Sequence, residues 1–133
     1  MTHQTTALVL LATLACAGPS GTGRITLGPW GGEHVLLTVK DTGADVQFDC
    51  AHGRVEEPIV LDDAQRFDVR GVFIREHGGP VKKDEAESSQ PVRYKGTVNA
   101  DRMSLTVAPE GGGEDLGSFT LSKGSKGHLV RCY

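Results

Sequence analysis

The feature that most constrains the fold is a strict alternation of apolar and polar side chains that recurs in short runs. In "ADVQFDC", Ala44, Val46, Phe48 and Cys50 fall on one face, and Asp45, Gln47 and Asp49 on the other. In "VRYKGTV", Val92, Tyr94, Gly96 and Val98 oppose Arg93, Lys95 and Thr97. "RMSLTV" and "GSFTLS" repeat the pattern, with Met103, Leu105 and Val107, then Phe119 and Leu121, on the apolar side. A period of two marks a strand with one buried face. Eight such runs can be read, at about 34–40, 44–50, 54–61, 66–77, 92–99, 102–108, 117–122 and 127–133. Turn residues separate them: "DTG", "AHG", "DDAQ", "NAD" and "KGSKG". No run keeps a helical period. Eight short strands, each with one apolar face, must curl to bury it, and closure also removes exposed edges. The expected fold is all-β: a single small antiparallel up-and-down barrel of about eight strands over residues 33–133. A two-sheet β-sandwich is the alternative.

The rest of the 133 residues sets the context. Residues 7–15, "ALVLLATLA", form an apolar run followed by small residues, which reads as a signal peptide over 1–17. The n-region "MTHQTT" lacks Lys and Arg. The run is too short to span a bilayer, which takes ~20 apolar residues. "ATLAC" resembles the bacterial lipobox, which implies lipidation of Cys16 as the mature N-terminus. Ordinary cleavage after Ala17 is the other reading. Residues 18–32, rich in glycine, read as a flexible tether. Net charge is -3, without the basic face of a nucleic-acid binder. The expected location is the periplasm or cell envelope, with a membrane contact only through an N-terminal lipid, or free secretion.

There are three cysteines. With Cys16 lipidated or removed, Cys50 and Cys132 remain, and an oxidising compartment would pair them. Such a bridge would close a loop of about 80 residues, worth ~4 to 5 kcal/mol in the chain-entropy model. Alternating strand directions place both cysteines at the same end of the barrel. That end also gathers the long segments "GGPVKKDEAESSQP" and "PEGGGEDLG", and function tends to sit on such loops.

Candidate chemistry concentrates there. His34, His52 and His77 could hold zinc or copper if they converged, although no HxH, HxxxH or CxxC spacing enforces it. Arg75 and His77 share parity with Phe67, Val69 and Phe73 and would point into the mouth unless a bulge at Gly71 reverses them. Tyr94 and Trp30 complete the candidate ligand contacts. "KKDEAESS" reads as a solvated loop, or as a lid over the mouth. "REHGGPV" is similar to a His-Gly-Gly oxyanion segment, but there is no G-x-S-x-G elbow. The neighbours Glu56–Glu57 and Asp62–Asp63 point to opposite faces of a strand and make poor acid/base pairs. No cofactor is implied beyond a zinc or copper ion.

"GPWGG", at 28–32, resembles the G-x-W that opens lipocalins and related calycin barrels. That resemblance implies a Trp packed under a basic residue from near the last strand, a role open to Arg131. In size the chain is closer to avidin-like and small metalloprotease-inhibitor barrels, and it resembles small exported bacterial β-barrel proteins and lipoproteins. The expected function is a non-enzymatic exported module that binds a small ligand or an envelope protein at the loop-rich rim. Two alternatives stand beside it. One is an inhibitor-like partner of a secreted protease, with the tether entering the active site. The other is a metal-binding protein using His34, His52 and His77.

Overall fold

The structure, a computed structural model, describes residues 23–76, 89–130 and 132. Ten strands form in chain order: β1 (Gly23–Arg24), β2 (Gly28–Gly32), β3 (Val35–Lys40), β4 (Gly43–Phe48), β5 (Ala51–Val55), β6 (Val60–Leu61), β7 (Arg66–Arg75), β8 (Ser89–Asn99), β9 (Arg102–Pro109) and β10 (Gly117–Lys123). Eight of them close a barrel in the order β10-β2-β3-β4-β5-β7-β8-β9. Every neighbouring pair is antiparallel. The barrel is therefore the fold, and the sandwich is not.

The alternation chooses the interior as expected. Val35, Leu37 and Val39 of β3 point inward, as do Ala44 and Val46 of β4, Val92 and Tyr94 of β8, and Met103, Leu105 and Val107 of β9. Polar side chains between them face water. Two large residues fill the lumen. Trp30 is 1% exposed and donates its indole N–H to the Thr26 carbonyl at 3.0 Å. Tyr94 is 0% exposed and donates its hydroxyl to the Val72 carbonyl at 2.7 Å. The Tyr94 ring needs a slot, and inward-facing Gly53 and Gly71 make it. A Cβ on Gly53 would overlap the Tyr94 hydroxyl, and one on Gly71 would meet the ring edge. Burial pushes the Tyr94 phenol well above its ordinary range.

Four corrections to the sequence expectation follow. The stretch 23–32 is not a free tether, because it supplies β1 and the barrel strand β2. Residues 18–22, and the expected signal segment 1–17 with Cys16, lie outside the described residues. "AHG" is not a turn. It is part of β5, and its glycine is the Tyr94 slot. The barrel run expected over 54–61 stops at Val55 and resumes outside the barrel as β6, which pairs with β1. Finally, the segment after β10 is not an eighth strand. It leaves the wall and runs beside β2, with a bridge from His128 to Glu33. No bulge at Gly71 reverses the parity of β7, which pairs in unbroken register with β5 and β8.

The two ends differ. One carries the short turns at 41–42 and 100–101, and there Ile25, Ile59 and Leu61 are buried at the β1–β6 pair, with Arg24 paired to Asp41. The other carries the tight turns at 33–34 and 49–50, the 110–116 loop and the connection from β7 to β8.

Candidate functional site

The open rim holds a small cavity of about 230 Å³. Its floor is apolar. Phe48 ends β4, Phe73 comes from β7 and Phe119 from β10, all on the inward parity of their strands. Phe48 lies 5.3 Å from each of the other two rings, tilted in both cases. Such tilted contacts suit the ring quadrupoles. Ala51, Val107 and Leu116 complete the floor, and His34, Asp49, Cys50 and Arg75 form the edge. The cup does not continue into the lumen, because Tyr94 and the aliphatic side chains beneath it already fill that space.

The polar edge is organised by the two tight turns. His34 sits between β2 and β3 with φ of 69°, in the left-handed region that side chains with a Cβ seldom adopt. Its Nδ1 lies 2.6 Å from Asp49 Oδ2, in the turn between β4 and β5. The other Asp49 oxygen accepts the Val130 N–H at 2.8 Å. One carboxylate thus ties together the β2–β3 turn, the β4–β5 turn and the C-terminal segment. Arg75 stands at the end of β7 with its guanidinium carbon 5.8 Å from the Phe73 ring centre, a cation over an aromatic face.

The histidines do not converge. His34 pairs with Asp49, His52 with Glu76 at 2.7 Å and His128 with Glu33 at 3.2 Å. Among the described residues no group of three or more His, Cys, Asp or Glu could hold a metal ion. His77, expected as the third ligand, lies outside the described residues, as do Arg131 and the "KKDEAES" part of the proposed lid. Arg75 is at the mouth as expected. Trp30 and Tyr94 are not ligand contacts but plugs of the interior, each with its polar atom bonded to the backbone.

Cys50 and Cys132 come together at this rim, yet both are free thiols. The expected covalent bridge is therefore absent from the structure. The Cys50 thiol is pushed up to about 11, first by its side-chain hydrogen bond with Cys132, with loss of hydration and the nearby charges of Cys132, Asp49 and Glu76 adding to it.

Two larger hollows lie elsewhere. The larger, about 550 Å³, is a depression on the outer wall of β7, β8 and β9. Asp62 and Asp68, which line it, pair with Arg66 at 3.8 Å and Arg93 at 2.6 Å. The other, about 310 Å³, is lined by Glu56, Glu57 and Glu110 around Arg70. The rim cup joins an aromatic floor to a polar edge, the arrangement that binding sites use. Leu116 and Phe119 were missed as site residues. The signal for Leu116 was present, since it is the single large apolar residue in "EGGGEDLG". Nothing local marks Asp49 as the organiser. No family model, curated protein or solved structure matches the chain.

Proposed function

We propose that this protein is a non-enzymatic binding module that takes a small apolar group into the rim cup and sets a carboxylate on that group against Arg75. The observation that carries this reading is the triple-phenylalanine floor, open at the loop-rich rim above a filled interior. A cavity of about 230 Å³ suits a short acyl chain, or one apolar side chain of a partner protein. Export belongs to the same reading and is supported by the apolar run at 7–15, with Cys16 as the lipidated residue. The mass of the mature N-terminus tests that part directly. Zinc or copper binding is not carried forward, because His34 and His52 are committed to different carboxylates.

Octanoate and octyl glucoside test the cup, since they share a chain and differ in head-group charge. NMR titration of the full chain should move the amide signals of Ala51, Phe73 and Val107 with either probe. Arg75→Gln should weaken octanoate about 5-fold and leave octyl glucoside unchanged, since an exposed ion pair contributes ~1 kcal/mol. Absence of shifts at these amides with both probes at millimolar concentration would sink the reading.

A further inference from the structure

The residues after β10 form a strap laid over the rim. Gly31 lets it pass: a Cβ there would overlap the backbone of Gly127. The strap then exchanges bonds with the β2–β3 turn, His34 N–H to the His128 carbonyl at 2.8 Å and His128 N–H to the Gly32 carbonyl at 2.9 Å. Val130 N–H reaches Asp49. Cys132 ends the path with its sulfur 3.9 Å from the Glu76 carbonyl. Glu76 in turn donates its N–H to the carbonyl of Cys50 at 2.9 Å. The strap therefore finishes against Cys50, which lines the cup.

We propose that Cys50 and Cys132 are a reversible disulfide site, oxidised by exchange with a small-molecule disulfide, and that the bond staples the C-terminal strap beside the cup. The bond is not needed to close the barrel, because β10 and β2 do that by backbone pairing. It fixes instead the side of the cup made by His34, Asp49 and Cys50. In the exchange, the thiolate of one cysteine attacks a sulfur of the small disulfide and expels one small thiolate. The thiolate of the other cysteine then attacks the protein sulfur of the mixed disulfide and expels the second. Two electrons pass from the cysteines to the small disulfide, and the two cysteine protons end on the two released thiols. The effect on ligands rests on the cup reading above; the crosslink does not. Fixing one wall in advance removes part of the ordering cost of binding, so the oxidised form binds more tightly.

The test is oxidation of the full chain with oxidised glutathione, followed by non-reducing tryptic mapping, amide exchange and octanoate titration. The expected product joins peptide 41–54 to the peptide ending at Tyr133. Exchange at His128 and Val130 should slow at least ~10-fold, as expected when a local opening is blocked, and octanoate affinity should rise ~3-fold. Cys132→Ser and Cys50→Ser should each abolish all three changes, and both leave the buried core intact. A stable glutathione adduct, a bond to Cys16, or a Cys50–Cys132 bond without slower exchange overturns the strap proposal. If the crosslink and protection appear but octanoate binds neither form, the strap stands and the cup reading falls. If octanoate binds and no crosslink forms, the reverse holds.

Discussion

Replacing Tyr94 by Phe tests the interior in a way that separates burial from simple packing. The ring and its glycine slot stay, and only the hydroxyl bonded to Val72 is lost. At pH 7 the variant should lose about 1 to 3 kcal/mol, the cost of leaving a buried carbonyl without its donor. The alkaline limb carries the sharper statement. Burial raises the phenol pKa in the folded state. The stability this contributes is therefore fully present below the unfolded value of about 10 and is lost as pH rises from there towards the folded value. At pH 11 ionisation of the unfolded phenol favours unfolding by about 1.4 kcal/mol, a term the Phe variant lacks. Urea denaturation of both proteins at pH 7 and pH 11 should therefore show the penalty shrinking by about 1.4 kcal/mol. Every other group is common to the two proteins and cancels in the difference. A penalty unchanged between the two pH values would mean that the hydroxyl ionises as freely folded as unfolded, and would refute the buried plug.

Other outcomes follow from the same geometry. Gly53→Ala should cost at least about 2 kcal/mol in urea midpoint measurements, because the new methyl overlaps both the Tyr94 hydroxyl and the Val72 carbonyl. Trp30→Ala should cost about 3 to 5 kcal/mol by the same assay, as it empties the lumen beneath the β2 ladder. Gly31→Ala should lift the strap: amide exchange at His128 should speed up several-fold while core amides such as Leu105 keep their protection. Arg75→Gln, on an exposed side chain, should change thermal stability by no more than about 0.5 kcal/mol.

Most of the wall was legible because period-two alternation needs only one buried face. Runs such as 102–108 gave strand, face and core residues together. What escaped did so for identifiable reasons. "GPWGG" holds three glycines and a proline, so it carries almost no strand propensity. Gly31 and Gly32 are required instead by close approach of Gly127 and of the Thr120 carbonyl, and Gly28 by its φ of 101°. Gly53 read as a turn because its partner, the Tyr94 ring, lies 41 positions along the chain. "GHLVRCY" alternates like a strand, but among its described residues only His128 bridges to the sheet, since the place it would take in the ring is held by β2. The cup depends on Phe48, Phe73 and Phe119 meeting from three strands, which parity allows but only the closed ring produces.

The ladder that completes the ring is short: Leu121 faces Gly32, Ser122 faces Gly31 and Lys123 faces Trp30. Its two partners are the first and last strands of the wall, so no earlier portion of the chain can substitute for either. Until Lys123 has been synthesised the sheet remains an open ribbon with two raw margins. Ring closure must therefore wait for synthesis of β10, and it pairs residues about 90 positions apart. A nascent chain of this kind therefore stays unclosed until β10 has been made.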